Sequence, residues 1–274
     1  MAKKLIPMAI SYDFDGTLAP GNMQEYDFIP ALKLPPQHFW RKATELAERH
    51  EADPILMYMH AMIEEAHKAD IPVRKADFRA YGKNIELFPG VEEWFTRINA
   101  YAKENGIRLE HFIISSGIRE MVEGTPIRKA FKKIYASSFV FDANDVARWP
   151  ALAINYTTKT QYLFRINKGS LDVHDNSVIN KYVPKDQRPV PFEHMVFVGD
   201  GETDIPCMRL VKDQGGHSIA VFNPGKHGAK KRAEQLVKDG RATLVATADY
   251  QAGSDIDLAV KAIIDKIEAA SRIK

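Results

Sequence analysis

The sequence predicts an α/β protein: a doubly wound, mostly parallel sheet with a helical cap domain inserted after the first strand. Short apolar runs ending in turn residues recur along the chain, as in "LIPMAISY", "EHFIISSG", "EHMVFVGDG", "GHSIAVFNPG" and "ATLVATADY". Helical patterns lie between them, and that alternation is the signature of parallel strands with helices on both faces. Between residues 21 and 87 the strand signals vanish and only helical periodicity remains, which marks the insertion.

Each element follows from its residues. "MAKKLIPMAI" opens with two lysines like a signal peptide, but its apolar run is too short for a hydrophobic leader and runs into charged residues, so it reads as a first buried strand. In the insertion, Pro36 precedes "QHFWRKATELAERH", Asp53 and Pro54 serve as N-cap and first-turn proline of "ILMYMHAMIEEAHKAD", and Arg74 begins "RKADFRAYGKN". The predicted division is a core of residues 1–20 and 88–274 with a cap of residues 21–87. After the Pro89-Gly90 turn, "VEEWFTRINAYAKENG" places Val91, Trp94, Phe95, Ile98 and Tyr101 on one face and runs out at Gly106. The last helix, in "SDIDLAVKAIIDKIEAASR", is expected to bury Ile256, Leu258, Val260, Ile263 and Ile267. No internal repeat or low-complexity linker interrupts the chain.

Composition narrows the function. With 274 residues, 45% of them hydrophobic, the chain can bury a sizeable core. Lys and Arg number 38 against 36 Asp and Glu, so no global field attracts nucleic acid or a membrane surface. The densest basic stretch, "GKHGAKKRAEQLVKDGR" from 225 to 241, reads as a solvated helix face. Cys207 stands alone, which rules out an intramolecular disulfide and suits a reducing compartment. No run approaches the roughly 18 apolar residues of a membrane span, so a cytoplasmic protein is expected.

The chemistry concentrates at three strand ends. "AISYDFDGTLAP" sets Asp13 and Asp15 two residues apart behind an apolar run, "FIISSG" ends in Ser115, Ser116 and Gly117, and "VFVGDGETD" delivers Asp200 and Asp204. Each alone is an ordinary turn. Together, each behind an apolar strand, they converge at the carboxyl end of a parallel sheet, where open α/β sheets bind ligands. An insertion directly after the first pair would lie over that site like a lid.

In these residues the sequence resembles the haloacid dehalogenase-like phosphohydrolases. "DFDGT" at 13–17 is similar to that family's first motif, Ser115 behind "FII" to its second, and "GDGETD" at 199–204 to its fourth. The likeness spans most of residues 8–222 and points to the branch with a helical cap, the phosphoserine phosphatase-like one, on a Rossmann-like core. It implies a phosphatase of a small phosphorylated metabolite. Asp13 would be the nucleophile that becomes an aspartyl-phosphate, and Asp15 the acid that protonates the leaving oxygen and then the base that activates water. The resemblance also implies a Mg²⁺ site on Asp13, the Asp15 carbonyl and Asp200, with Asp204 beside the metal. Mg²⁺ fits such a set because it prefers oxygen ligands and offsets carboxylate repulsion. Asp204 further reads as the N-cap of a helix opening at Ile205 and Pro206. Gly16 and Gly117 would let backbone N–H groups approach the phosphate.

The family also supplies a lysine, and two candidates stand here, Lys159 in "NYTTKTQ" and Lys168 in "INKGS". Lys168, followed by Gly169, is the more similar to the family's usual Lys-Gly pair. Thr158 and Gln161, however, form a capping-box pattern that starts a helix at Lys159 and leaves Lys168 and Gly169 at its C-terminus, roughly 14 Å away. Lys159, following the strand-like "LAINY", is the expected phosphate-binding lysine.

Other signals have plainer readings. His60, Glu64 and His67 form a surface stripe, Met57, Met59 and Met62 are packing, and Cys207 is a small buried residue with no histidine to activate it. Gln24, Glu25, Arg41 and His60 are polar candidates for facing the site. The rivals to a phosphatase are a phosphonatase, which would need an amine such as Lys33, Lys42 or Lys68 in the lid, a phosphomutase, and a noncatalytic phosphate-ligand binder.

Overall fold

The computed structural model describes residues 5–273. The strands are β1 (Ile6–Tyr12), β2 (Ile107–Ile118), β3 (Phe131–Phe141), β4 (Ala147–Leu152), β5 (Met195–Gly199), β6 (His217–Phe222) and β7 (Leu244–Thr247). They form one sheet in the order β4-β3-β2-β1-β5-β6-β7, parallel throughout except for the antiparallel edge pair β3–β4. The five apolar runs quoted above are β1, β2, β5, β6 and β7. The helices are α1 (Phe28–Ala31), α2 (Pro36–His50), α3 (Pro54–Lys68), α4 (Lys75–Gly82), α5 (Val91–Glu104), α6 (Arg119–Gly124), α7 (Lys159–Lys168), α8 (Ile205–Asp213), α9 (Ala229–Lys238) and α10 (Asp255–Ser271).

The two faces of the sheet are covered separately, and the period-two alternation of a strand decides which side chain goes where. Met8, Ile10 and Tyr12 of β1 face a core shared with α5, α10 and the helices between β1 and α5. Ala9 faces the other core, with Tyr162 and Ile166 of α7 and Met208 and Val211 of α8. Helices α2, α3 and α4 therefore close over one face of the sheet with which they share a core. Phe78 of α4 stacks on Phe139 of β3 with ring centroids 5.4 Å apart. At the α4–α6 crossing, a Cβ on Gly82 would stand 1.9 Å from the Met121 carbonyl and one on Gly124 2.0 Å from that of Arg79. Only glycines permit that approach.

One local expectation is corrected, and one loop goes beyond any sequence reading. Leu258 is 57% exposed while Ile256, Val260, Ile263 and Ile267 are buried, because position 258 falls outside the i, i+4, i+7 stripe. The 170–178 loop, for which the sequence offered no pattern, is organised by the buried Arg165, whose guanidinium donates to the carbonyls of Asp172, Val173 and Asp175 at 2.8, 3.0 and 2.9 Å.

Candidate active site

From β1 the chain winds one way to β2 and β3 and the other way to β5, β6 and β7, so direction reverses at β1. Such a reversal leaves a crevice at the carboxyl ends of the strands. Asp13 enters it first. Its N–H donates to the Val198 carbonyl at 2.9 Å, which extends the β1–β5 ladder one residue and holds the Asp13 backbone. The chain then turns tightly, with the Phe14 carbonyl accepting from the N–H groups of Thr17, Leu18 and Ala19 at 3.2, 2.9 and 3.2 Å. Gly16 sits in this turn at φ 75°, and a Cβ there would lie 2.1 Å from Oδ2 of Asp200. The glycine thus serves close approach of the opposite carboxylate, since its own N–H is bonded to the Ala19 carbonyl at 2.7 Å.

Gly117 has the same kind of role. Its N–H donates to Ser115 Oγ at 3.1 Å, and a Cβ would collide with Met23 Cε at 2.1 Å and approach Asp15 Oδ2 to 3.0 Å. The N–H groups of Gly16 and Gly117 thus have internal partners, and the missing side chains make room for Asp200 at the first and for Met23 beside Asp15 at the second. Asp15 Oδ1 accepts the Met23 N–H at 2.8 Å. Burial first, then the neighbouring charge of Asp13, pushes the Asp15 carboxyl well above the usual carboxylate range.

Lys159 is fully buried, with Nζ 3.1 Å from Asp13 Oδ2 and 2.8 Å from Asp204 Oδ1. Burial opposes its charge, but the two carboxylates outweigh it and hold the lysine protonated. Lys168 instead donates to the carbonyls of Ile179 and Lys181 at 2.6 and 2.7 Å and Gly169 takes the left-handed C-cap. Helix α7 begins at Lys159, but not by a capping box: Thr158 turns its Oγ1 to the Asn155 N–H at 2.8 Å and makes no cap bond to the helix. Asp204 does stand at the N-cap position of α8, but its side chain is used elsewhere. It makes no side-chain bond to the start of α8; its Oδ2 accepts from the N–H groups of Asp200 and Gly201 at 3.2 and 3.4 Å. Gly199, which sequence reasoning passed over, allows that return, because a Cβ there would lie 2.4 Å from Asp204 Oδ2.

Asp13, Asp200 and Asp204 bring carboxylate oxygens within 4.8 Å of one another. Enclosure by protein atoms and the charges of Asp204 and Asp13 push Asp200 up to about 8. One side of Asp200 is open to solvent, so the repulsion is the part a cation would relieve. Asp204 is raised too, by burial and by Asp13, despite its contact with Lys159. Asp13 Oδ1 is buried with no protein partner. An orphaned carboxylate oxygen beside an exposed carboxylate is a donor set that suits a hard divalent cation such as Mg²⁺. Asp204 is at the same time held by Lys159 and accepts from the Asp200 and Gly201 N–H groups, which fixes the loop that carries Asp200.

Above the carboxylates lies a cavity of about 720 Å³ lined by Asp13, Asp15, Gly16, Ser115, Ser116, Gly117 and Asp200. Lys159 lies beneath them. From the insertion, Gln24, Trp40, Ile55 and Tyr58 face this cavity, while Glu25, Arg41 and His60 do not line it. Tyr58 Oη donates to the Ser116 carbonyl, and Asn155 Nδ2 to Asp53, the N-cap of α3. His60 pairs with Glu64 at 3.7 Å on the surface, and Met59 and Met62 are buried. Lys226, Arg232 and Arg241 also line the cavity, so part of the basic stretch read as a solvated face borders the site.

A doubly wound sheet with a carboxylate cluster at its reversal point and helices closed over it defines a Rossmann-like hydrolase with a helical cap. The sequence profile of the haloacid dehalogenase-like hydrolases matches residues 10–209. The chain belongs to that family. It is 27% identical over 277 residues to an uncharacterized protein of Borreliella burgdorferi, covering 91% of this chain and 93% of that one. A haloacid dehalogenase family hydrolase of Salmonella enterica serovar Typhi superposes with a TM-score of 0.58 at 17% identity, covering 94% of this chain and 72% of the other. A phosphoserine phosphatase bearing a phospho-aspartyl intermediate analogue does so with 0.55 at 15% identity, covering 94% and 99%. These structures share the fold. Among the described residues no helix is long and apolar enough to cross a membrane.

Proposed function

We propose that this protein is a Mg²⁺-dependent phosphatase that hydrolyses a small phosphorylated metabolite through an aspartyl-phosphate on Asp13, with the helices of residues 21–87 as its cap. One observation carries the reading: Asp13, which lines a cavity together with Asp15, is held by Lys159 through Oδ2 and has an Oδ1 without a protein partner. Oδ1 attacks phosphorus, and the bond to the leaving oxygen breaks as Asp15 gives that oxygen its proton. The upward shift of Asp15 keeps the proton available. In the second half Asp15 takes a proton from water, the water oxygen bonds to phosphorus, and Asp13 is released as a carboxylate. Lys159 balances the negative charge of Asp13 and Asp204 throughout. Ser115 and Ser116 border the phosphate position, and Asp204 holds the Asp200 loop by its two backbone bonds. Asp13, the Asp15 carbonyl and Asp200 would hold the metal, whose positive charge stabilises the phosphoryl oxygens.

The lid amines named for a phosphonatase, Lys33, Lys42 and Lys68, do not line the cavity, and Lys42 is engaged by Glu64 at 2.8 Å and by Glu65. The decisive experiment is phosphate release from a panel of phosphorylated metabolites with Mg²⁺, for the native protein and for Asp13→Asn. The amide keeps the shape and is a far poorer nucleophile, so turnover should vanish with the melting temperature retained. Native-like turnover by the variant would overturn the mechanism.

A further inference from the structure

The basic stretch of residues 225–241 takes no part in the mechanism above, yet part of it borders the same cavity. Strand β6 lies parallel beside β5, so the loop after β6 opens at the same edge of the sheet as the loop that carries Asp200. Lys226 stands in that loop, where its N–H closes a turn on the Asn223 carbonyl at 3.1 Å. Helix α9 follows and turns one stripe to the cavity, Ala229, Arg232, Gln235, Leu236 and Asp239, at the three- and four-residue spacing of a helix face. Its other cations, Lys230, Lys231 and Lys238, do not line the cavity. Arg232 leans back toward the start of the helix, as long helical side chains do: its Nη1 is 3.2 Å from the point where a Cβ on Gly228 would stand. The guanidinium is thereby brought beside Gly228, two positions along the chain from Lys226.

The charges of the cavity divide by wall. The lining residues of the insertion, among them Gln24, Trp40 and Tyr58, carry none. Glu202 stands on the Asp200 loop, and over residues 221–241 three cations, Lys226, Arg232 and Arg241, meet one carboxylate, Asp239. Asp239 accepts from Gln235 Nε2 at 2.7 Å, and among the described residues none of the three cations forms an ion pair. A volume of about 720 Å³ is that of a pocket for a whole small metabolite, not for a phosphate alone. We propose that the substrate is a phosphoester whose leaving group carries a second anionic group, a phosphate or a carboxylate, and that Lys226 and Arg232 bind this second group while the first phosphate lies at Asp13. The proposal rests on the phosphatase reading above. The pair suits an oxyanion, because the guanidinium offers two parallel N–H groups and the ammonium a further donor. Arg241, beyond the end of α9, adds to the field that draws an anion in.

The test measures kcat/KM, with excess Mg²⁺, on esters paired to differ in the second group: fructose 1,6-bisphosphate against fructose 6-phosphate, and 3-phosphoglycerate against glycerol 3-phosphate. Phenyl phosphate serves as an ester with no second anion. The native protein should prefer the doubly anionic member of at least one pair by about tenfold or more, the scale of charge-assisted hydrogen bonds, and the pair that shows it distinguishes phosphate from carboxylate. Arg232→Gln and Lys226→Gln should each lose about fivefold more on that ester than on phenyl phosphate, chiefly through KM, the smaller factor reflecting their exposure. Lys231→Gln removes the same charge from the position next to Arg232, outside the cavity lining, and should keep the preference. Thermal melts confirm that each variant folds. Absence of preference in both pairs overturns the proposal and requires no variant. A preference that survives in Arg232→Gln and Lys226→Gln, or that Lys231→Gln loses equally, overturns it as well. Turnover of phenyl phosphate in any of these cases leaves the phosphatase reading standing and removes this one alone. Failure to cleave any of the five esters removes both.

Discussion

Replacing Lys159 by methionine should damage both activity and stability, and the structure sets the scale. Its Nζ lies 3.1 Å from Asp13 and 2.8 Å from Asp204, with the lysine fully buried. At an effective dielectric of about 20, each contact corresponds to roughly 5 kcal/mol of gross attraction. Desolvation of three charges cancels most of it, and what remains on removing one member of a buried network is about 3–5 kcal/mol of lost stability. Part of that loss is relieved when the stranded carboxyls take up protons, so the variant should recover stability as pH falls. Transition-state stabilisation should fall by about 3 kcal/mol or more, on the order of a hundredfold in kcat/KM, as when one preorganised donor is deleted. Lys168→Met is the control: it loses two bonds to backbone carbonyls, about 1–2 kcal/mol of stability, and leaves turnover unaltered. Urea melts and kcat/KM on one substrate distinguish the two. A folded but dead Lys168→Met beside an active Lys159→Met would refute the assignment.

Three further outcomes are expected. Asp200→Ala should abolish activity, and EDTA should do so reversibly in the native protein, with Mg²⁺ restoring it; full activity in metal-free buffer would exclude the site. In the metal-free protein Asp200 is raised to about 8, Asp204 to about 7 and Asp15 upward, so the folded state retains protons that the unfolded chain releases near its ordinary carboxylate values. Stability should therefore fall as pH rises from about 4 to 8, and Mg²⁺ should stabilise more at the upper end, as thermal melts with and without the ion would show. Gly82→Ala should cost about 1–3 kcal/mol, because its Cβ meets the Met121 carbonyl at the α4–α6 crossing; an unchanged urea midpoint would contradict that geometry.

Much of this was legible in the residues, for identifiable reasons. The five parallel strands announce themselves because both their faces are buried, which writes continuous apolar runs. Asp53 and Pro54 announce α3 because capping is local, and Asp53 does accept from the N–H groups of Ile55 and Leu56. Strands β3 and β4 are less visible. "FKKIYASSFVF" carries two lysines and buries Ser137 and Ser138, and β4 includes Pro150, which an edge strand tolerates. Ser137 finds its partner in the Ile154 N–H at 3.0 Å and Ser138 in Glu120 at 2.9 Å, contacts that no local pattern encodes. The carboxylates could be grouped from their strand ends, but the return of Asp204 to its own loop depends on Gly199, a backbone consequence hidden in a common turn. Which of the polar cap candidates faces the site was out of reach: Gln24 lines the cavity, while Glu25 is drawn into bonds with Asn22 and Trp40 that no local pattern encodes.

The helices over the site are not fastened alike. Helix α4 is riveted to the sheet by the Phe78–Phe139 stack and by the glycine crossing with α6. The α2–α3 hairpin meets the site's loops through Tyr58 on the Ser116 carbonyl and Asp53 on Asn155. The hairpin shares the core too, through Phe39, Met59 and Met62, but its polar contacts go to the site's loops rather than to a neighbouring helix. Amide hydrogens of α4 should then exchange only with the global core, while those of α2 and α3 exchange through a lesser, local opening. Both contacts end at site loops, one at Ser116 and one just before Lys159, so a displacement of the hairpin should be felt at both loops.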